Sequence, residues 1–354
     1  MSIKTRHTAF QRLPIVDIGG LYANDASERQ TCAQALGRAA RDAGFLYIQG
    51  HQVPAEQIQA LRACAQAYFA QPNAEKMRHY IGLSDNHCGY VPEGEEQFYG
   101  ASQPDLKETF DVGFDLGDYD ATAQSLHKRP MLGVNPWPDM PGFRTVVKSY
   151  YQSVYALSQV LFRGFALALG LPEDGLTQLV QYPPSQLRLV HYPYNPDAPQ
   201  DRPGIGAHTD YECFTILLPT ADGLEVQNGA GEWINAPVLP GTFVINIGDM
   251  LEVLSNGRLV ATKHRVRKVQ EERYAFPLFC ACDYDTVIAP LPHFVAQDGA
   301  SHYAPIVCGE HLYAQTIQTF RYLRERWYAG ELQLPSGAKP LDSFGRAGKP
   351  EVQT

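Results

Sequence analysis

Two polar residues stand two positions apart inside an apolar, β-branched stretch of the chain. The stretch GIGAHTDYECFTILL runs from Gly204 to Leu218 and carries His208 and Asp210. Because side chains alternate faces along a strand, a strand here would point both polar groups the same way. His264 follows later, in ATKHRVRK. Two imidazoles and one carboxylate can bind one face of a non-haem iron(II) ion and leave three coordination positions free.

The neighbours of these residues decide between iron and other metals, because a His-x-Asp pair alone is common by chance. GDMLEVLSNGRLVATKHRV leads into His264, and Arg273 follows on the next predicted strand, ERYAFPLF. Zinc could use the same three ligands for hydrolysis, but Arg273 would then have no role. The pattern around the three ligands therefore favours iron over zinc.

The composition limits the class of protein. The 354 residues are 44% hydrophobic and 19% charged, which predicts an ordered globular chain with a large core. A net charge of −9 disfavours a nucleic-acid partner, because phosphate binding needs concentrated Lys and Arg. The sequence contains no run of about 18 apolar residues, so no membrane span is predicted. We expect a cytoplasmic protein that acts on a small molecule and has no obligatory protein partner.

The seven cysteines are scattered and odd in number, which predicts reduced thiols and not a disulfide framework. Cys280 and Cys282 form a C-x-C pair. Because no second pair accompanies them, their apolar surroundings predict a packed strand and not a metal site.

Periodicity predicts helices in the first half and strands in the second. Helices are expected over 27–43, 55–72 and 145–170, and seven short strand-like runs follow Gln186. One of these runs is 204–218. The pattern predicts a mainly β protein with flanking helices and a double-stranded β-helix, or jelly-roll, core.

The expected organisation has four parts. Residues 10–175 are expected to form a helix-and-strand region that packs on the core, 183–290 the jelly-roll core, and 291–335 a turn and a helix. Residues 336–354 are rich in Gly, Pro and charge, which predicts a flexible tail.

The motifs around the metal-binding candidates resemble those of one enzyme family. H-T-D, then G-D-x-L-x-x-x-S-N-G-x-x-x-A-T-x-H-R-V, then R-Y-A-F-P stand in this order. LPIVDIGG, RDAGFLYIQGHQVP, GYVPEGEE, KETFDVGFD and the GEHL turn near Gly309 extend the likeness over most of the chain. The sequence resembles the isopenicillin N synthase-like group of iron(II)/2-oxoglutarate-dependent oxygenases, which includes the ethylene-forming enzyme and plant flavonoid and hormone oxygenases.

The resemblance implies that His208, Asp210 and His264 bind iron(II). It also implies that Arg273 forms a salt bridge with the distal carboxylate of 2-oxoglutarate. The family usually has a serine two residues after this arginine, where this chain has Ala275, as the ethylene-forming members also do. A lost hydrogen bond to a charged group costs about 1.5–3 kcal/mol, which weakens carboxylate binding without removing it.

Two further residues are candidates for holding the co-substrate. Tyr192 stands where the family has a tyrosine whose hydroxyl reaches the same carboxylate. Arg188 lies four residues earlier, on the same face of the predicted strand, and could hold an acidic group.

The resemblance also suggests substrate-binding residues. Glu95 and Glu96, in GYVPEGEEQFYG, resemble a substrate-facing loop of the family and would suit an amine or a guanidinium. Tyr90 and Phe110 are candidates to line the cavity, although aromatic residues commonly just pack in a core.

Three functions are open on the sequence alone. The first is an oxygenase that uses iron(II), 2-oxoglutarate and O2, with ascorbate as a stimulant, and releases succinate and CO2 while it hydroxylates, desaturates or cyclises a small organic substrate. The second is an isopenicillin N synthase-type oxidase that cyclises a thiol peptide without the oxoacid. The third is a non-catalytic module that binds a small acid, against which the intact triad argues.

Overall fold

The computed structural model describes residues 8–97, 105–119, 125–197 and 203–338. Most of the predicted tail, from residue 339 onward, lies outside the described residues. Within the described part, the secondary structure consists of two β-sheets that pack face to face, a short two-stranded ribbon and helices on the outer side of the larger sheet.

The strands are β1 Ile15–Asp17, β2 Phe45–Gln49, β3 Gly89–Val91, β4 Glu108–Val112, β5 Gln186–Tyr192, β6 Ile205–His208, β7 Phe214–Pro219, β8 Leu224–Gln227, β9 Trp233–Asn235, β10 Phe243–Ile247, β11 His264–Val266, β12 Arg273–Cys280, β13 Val287–Ile288 and β14 Ile306–Val307. The α-helices are α1 Ala26–Ala43, α2 Ala55–Phe69, α3 Asn73–Met77, α4 Phe143–Ala168, α5 Asp249–Leu254, α6 Pro292–Asp298, α7 Cys308–Thr319 and α8 Arg321–Tyr328. The long helices agree with the sequence-based prediction to within a few residues.

The larger sheet has eight strands in the order β1-β2-β10-β7-β12-β5-β4-β3, and the smaller has four in the order β6-β11-β8-β9. Apart from the parallel pair β1 and β2, all neighbours in both sheets are antiparallel. Apolar side chains of both sheets pack together, for example Val190 of β5 with Val266 of β11. The arrangement is the double-stranded β-helix that the sequence predicts.

The alternation of side chains gives the larger sheet two different faces. On β12, Phe276 and Leu278 pack in the core that includes Phe165 of α4. Arg273 and Ala275 point to the other face, toward the smaller sheet. Helices α1, α2 and α4 therefore cover one face of the sheet, and the other face lines a cavity.

The helix boundaries follow from local chemistry. Asp25 caps α1, because its carboxylate accepts a hydrogen bond from the backbone N–H of Ser27 at 2.8 Å. Gly44 ends α1 with a φ of 65°, a left-handed conformation that glycine adopts without steric cost. Gly37 of α1 approaches α4 so closely that an added Cβ would lie 2.8 Å from Cβ of Ala168. The small residue lets the two helices pack.

The structure corrects two predicted strands. The predicted strand over 204–218 is interrupted after His208 by a turn over 209–213, and the end of the run 241–254 is the helix α5. The physical reason is a set of backbone contacts between these two segments. Asp249 N–H donates to the carbonyl of Asp210 at 2.9 Å, and Gly248 N–H donates to that of Cys213 at 2.9 Å. Asp210 therefore reaches the site from a turn and not from a strand.

The thiols and the lengths of the helices complete the description of the fold. All seven cysteines are free thiols, and Cys280 and Cys282 are buried in the core. Within the described ranges, no helix has the length and apolar character that crossing a membrane requires.

Candidate active site

His208, Asp210 and His264 come together at one end of the smaller sheet. His208 ends β6 and His264 begins β11, and the two residues are direct partners across the antiparallel pair. Nε2 of each histidine lies 3.5 Å from Oδ1 of Asp210, and the ring centroids are 4.3 Å apart. One ligand atom from each residue lies within 4.8 Å of the others, the one such cluster of three in the described part of the chain.

Neighbouring groups hold each ligand in its orientation. Nδ1 of His208 lies 2.8 Å from the carbonyl of Gly206, and Nδ1 of His264 lies 3.2 Å from that of Thr262. Because a carbonyl only accepts, Nδ1 carries the proton and the lone pair of Nε2 faces the centre.

The carboxylate of Asp210 is held in the same manner. Its Oδ2 accepts hydrogen bonds from Thr215 Oγ1 at 2.5 Å and from Asn246 Nδ2 at 2.7 Å. Oδ1 is therefore the oxygen that faces the two imidazoles.

The electrostatics of the triad suit a divalent cation. Burial acts to raise the pKa of Asp210, but the neighbouring imidazoles of His264 and His208 and the hydrogen bond from Thr215 outweigh it and lower the pKa. Burial, followed by the charge of His208, lowers the pKa of His264 to about 4. An ionised carboxylate and a neutral imidazole are the forms that bind metal. The donor set and the cavity beside it fit an iron(II) ion with open positions.

Arg273 lies in the wall of the same cavity and is 1% exposed. Its Nε donates to the carbonyl of Ala221 at 3.1 Å, and its guanidinium lies 4.6 Å from the ring centroid of Tyr192. Nη1 is buried and has no hydrogen-bond partner in the described structure. Because leaving a charged donor unpaired is costly, this nitrogen fits the carboxylate of a bound ligand. Ala275 lines the same wall.

Arg188 lines the cavity, but its guanidinium is already paired with carboxylates of the protein itself. Nε and Nη2 donate to Asp111 at 2.9 and 2.8 Å, and Nη1 donates to both oxygens of Glu96 at 3.1 and 3.0 Å. The sequence predicts that Arg188 holds an acidic group. In the structure, the acidic groups that it holds are the side chains of Asp111 and Glu96. Its role toward a co-substrate stays a prediction.

Glu96 belongs to a buried network of alternating charges. Nζ of Lys107 lies 2.7 Å from Glu96 and 3.3 Å from Asp105, so the network runs Asp105, Lys107, Glu96, Arg188, Asp111. Burial acts to raise the pKa of Glu96, but Arg188 and Lys107 outweigh it and lower that pKa to about 2. Burial raises the pKa of both Asp105 and Asp111. Three carboxylates thus share two cations.

The structure places the other three predicted substrate residues away from the cavity wall. Glu95 pairs with Arg321 and accepts from the backbone N–H of Tyr322. Tyr90 and Phe110 pack with Tyr68 in the core beneath the helices. Phe110 takes this face because it alternates along β4 with Asp111, which points the other way and pairs with Arg188 of the cavity wall.

Sequence reasoning missed several residues of the cavity wall. Lys107 could have been found from the alternation of KETFD, which places it on the face opposite Phe110, together with Asp111, the partner of Arg188. Glu212 lies in the turn after Asp210 and lines the cavity, where burial and the charge of Asp210 raise its pKa to about 8. No periodic signal marks Glu212, because it lies in a turn.

Comparison with known proteins agrees with this geometry. Residues 13–140 match the domain described as non-haem dioxygenase in morphine synthesis N-terminal, and residues 183–281 match the 2OG-Fe(II) oxygenase superfamily. A homoarginine-6-hydroxylase of Oryza sativa subsp. japonica is 34% identical over 88% of this chain and 98% of its own length.

Two solved structures share the fold. A putative 2OG-Fe(II) oxygenase family protein of Caulobacter crescentus superposes with a TM-score of 0.73 at 30% identity, over 90% of this chain and 99% of its own. A full-length Neurospora crassa protein, solved in complex with α-ketoglutarate, gives a TM-score of 0.72 at 23% identity, over 92% of this chain and 100% of its own.

The chain therefore belongs to the 2-oxoglutarate/iron(II) oxygenase superfamily. It is an oxidoreductase whose His-Asp-His triad binds iron, and whose co-substrates are 2-oxoglutarate and O2.

Proposed function

We propose that this enzyme hydroxylates a small molecule that carries a cationic nitrogen, while Arg273 holds 2-oxoglutarate at the opposite end of the cavity. The observation that carries the proposal is the difference between the two ends. At one end a buried arginine has an unpaired N–H, and the other end is backed by a buried network of three carboxylates and two cations, of which Glu96, Lys107 and Arg188 line the cavity.

The Arg273 end suits the distal carboxylate of 2-oxoglutarate. Nη1 of Arg273 is available, and Tyr192 lies beside the guanidinium. The remaining wall there is apolar and includes Val190, Leu217 and Ala275, so the methylene groups of the oxoacid would contact aliphatic carbon. The 2-oxo end would then reach toward the triad.

The other end suits a cation. The buried network reaches the cavity wall through Glu96, Lys107 and Arg188, and its two cations are already shared among three carboxylates. Glu212 adds an acidic group to the same wall, and a nearby cation would favour its ionised form. A cationic nitrogen bound there would bring the local charge closer to balance. The rice relative supports this class of substrate, because homoarginine carries a guanidinium group.

In the proposed hydroxylation, 2-oxoglutarate loses CO2 and becomes succinate. One oxygen atom of O2 enters succinate, and the other enters a C–H bond of the substrate to give an alcohol. Bound iron(II) supplies the activation of O2. The chain contributes the rest: it orients the oxoacid, places one substrate C–H bond near the triad, and excludes water through the apolar wall.

The test is a two-stage titration of the iron(II) enzyme. Without oxygen, 2-oxoglutarate is expected to produce a weak visible metal-to-ligand absorption band. With oxygen, L-homoarginine, L-arginine or L-lysine is expected to increase succinate formation and to yield a product heavier by one oxygen atom. Succinate formation stimulated only by uncharged or acidic compounds would refute the cationic substrate class.

The two other functions predict different results in the same experiment. An isopenicillin N synthase-type oxidase would show no absorption band and would consume oxygen with a thiol peptide in the absence of the oxoacid. A binding module would bind ligand and consume no oxygen with any oxoacid or peptide.

We also propose that the enzyme acts in the cytoplasm and without an obligatory protein partner. The free thiols support this location, because disulfides are rare in the cytoplasm. Fractionation of cells and gel filtration of the purified chain test it, and recovery only in a membrane or secreted fraction would contradict it.

A further inference from the structure

Glu212 stands at a fixed point of the cavity, two residues after the metal ligand Asp210. Its backbone carbonyl accepts a hydrogen bond from Met250 N–H at 3.1 Å, at the start of α5. Gly248 lies so close that an added Cβ would be 2.2 Å from this carbonyl oxygen. The backbone of Glu212 is therefore held, and its side chain contributes to the cavity wall.

Among the described residues, no side chain donates a hydrogen bond to the carboxyl group of Glu212, although the charge of Arg188 acts on it. The backbone N–H groups of Tyr211 and of Glu212 itself point donors toward it. The other cavity carboxylates are occupied: Glu96 pairs with Arg188 and Lys107, and Asp210 contacts the triad and its hydrogen-bond donors. Glu212 is thus the cavity carboxylate with capacity for a ligand.

A second observation points to a ligand in the same place. His87 is 4% exposed and lines the cavity, and its Nε2 is buried without a hydrogen-bond partner. The other ring nitrogen, Nδ1, is paired with the hydroxyl of Tyr322 at 2.7 Å. His87, Arg188 and Glu212 line the same cavity. Because buried polar atoms are normally paired, the unpaired Nε2 indicates that a polar ligand group binds in this cavity.

We propose that Glu212 is the residue that selects the substrate by forming an ion pair with its cationic nitrogen. This inference rests on the proposed function and names the residue that carries out the recognition. Asp210 is two residues away, so an ion pair at Glu212 fixes the substrate close to the triad. An ammonium or a guanidinium group fits, because each donates several hydrogen bonds to one carboxylate.

The experiment measures binding, independently of turnover. The iron(II) enzyme, saturated with 2-oxoglutarate and kept free of oxygen, is titrated calorimetrically with L-homoarginine and with L-citrulline, whose ureido side chain is uncharged but similar in shape. Glu212→Gln is expected to raise the Kd for L-homoarginine at least about tenfold and to change the Kd for L-citrulline less than about threefold. Glu212→Asp keeps the charge and is expected to recover part of the loss.

Two controls separate recognition from folding and from overall charge. Glu271→Gln removes an exposed carboxylate and is expected to leave both Kd values unchanged. Each variant is also titrated with 2-oxoglutarate, whose absorption band is expected to develop at the wild-type concentration. This band reports an intact metal site, because it requires both iron and the oxoacid.

The possible outcomes distinguish the inference from the proposed function. If wild-type enzyme binds L-homoarginine and Glu212→Gln binds it equally well, the role of Glu212 is refuted and the substrate class stands. If wild-type enzyme binds none of the cationic amino acids but binds uncharged ones, the substrate class fails, and the role of Glu212 fails with it.

Discussion

Two backbone carbonyls decide which nitrogen of each metal-binding histidine faces the metal position. The carbonyls of Gly206 and Thr262 each accept from an Nδ1–H, which leaves both Nε2 lone pairs for the ion. Asn246 and Thr215 orient Asp210 in the same manner. The three ligands are thus arranged before metal binds, which reduces the cost of ordering them.

Replacement of His208 by alanine is expected to abolish iron binding and turnover while the fold is retained. The imidazole supplies one of three protein ligands, and two ligands hold iron(II) weakly. Metal analysis after dialysis measures the loss, and circular dichroism checks the fold. The exposed His127→Ala serves as the control and is expected to retain iron. Stoichiometric iron in His208→Ala would exclude the triad as the metal site.

Replacement of Arg273 by lysine is expected to raise the Kd for 2-oxoglutarate about 10- to 100-fold, because an ammonium cannot form the two parallel hydrogen bonds of a guanidinium. The absorption band of the oxoacid complex measures this Kd. Arg265→Lys is the matched control, since Arg265 pairs with Glu225 and is not part of the cavity wall. An unchanged Kd in Arg273→Lys would show that the oxoacid binds elsewhere.

At the scale of the elements, the turn over 209–213 depends on α5. Three backbone N–H groups at the start of α5, those of Gly248, Asp249 and Met250, donate to carbonyls of this turn. The helix therefore determines where Asp210 and Glu212 lie. It also explains why an apolar, β-branched sequence is interrupted here: its carbonyls find donors outside the sheet.

Replacement of Gly248 by alanine is expected to displace this turn. An added Cβ would lie 2.2 Å from the carbonyl oxygen of Glu212, so the backbone must move. We expect a loss of roughly 1–3 kcal/mol in the free energy of unfolding and an iron Kd at least about tenfold higher. Chemical unfolding and metal titration measure the two effects. Gly231→Ala is the control. Gly231 has a φ of +85° and no atom within 4 Å of an added Cβ, so this substitution strains the backbone without a steric clash and is expected to retain iron affinity.

The helix-covered face of the larger sheet carries an ionisable cluster across β4, β5 and the residue before β12. Nδ1 of His191 lies 2.8 Å from Glu108, and Nε2 contacts Glu272. Burial acts to lower the pKa of His191, but the hydrogen bonds to Glu108 and Glu272 outweigh it and raise the pKa. The charged imidazole therefore binds these strands together.

The stability of the enzyme is expected to fall as the pH rises above about 6.5. A pKa raised in the folded state means that the folded chain holds the proton more tightly than the unfolded chain. The contribution of His191 to the free energy of unfolding is complete below the pKa that the imidazole has in the unfolded chain, about 6.5. It is lost as the pH rises through the higher pKa that the imidazole has in the folded chain. Urea unfolding between pH 6 and 9 measures the decline. His191→Phe is expected to show a smaller decline, and an identical one would refute the assignment.

At the scale of the whole molecule, the C-terminal helices close the cavity. Leu312, Thr316 and Phe320 line it from α7 and the junction with α8. Arg321 donates its backbone N–H to the carbonyl of Glu95 at 2.8 Å and its side chain to the carboxylate at 2.9 Å. The segment that carries Glu95 and Glu96 is therefore joined to the start of α8. Glu95 has this structural role because its side chain points away from the cavity.

Replacement of Glu95 by glutamine is expected to lower the free energy of unfolding by about 1–2 kcal/mol, a value reduced because Arg321 is half exposed. Urea unfolding gives the change. The exposed pair of Glu331 with Arg326 provides the control, and Glu331→Gln is expected to stay within about 0.5 kcal/mol of wild type. Equal effects of both substitutions would show that Glu95 does not join the two segments.

The sequence by itself determined which residue types carry the chemistry. The order of H-T-D, His264 and Arg273 indicates an iron site and a carboxylate site, because few other reactions need this set. Alternation along one strand also placed Tyr192 and Arg188 on a single face, and both line the cavity.

The tertiary structure alone decided which charges are free to act. Glu96 and Arg188 each look available in the sequence, but packing of β4 against β5 pairs them with Lys107 and Asp111. Glu212 reaches the cavity because α5 interrupts a run that reads as a strand. Local periodicity reports which way a side chain points along its own element. It does not report the neighbour that a distant segment supplies, and that neighbour determines whether a charged group is paired or free to bind substrate.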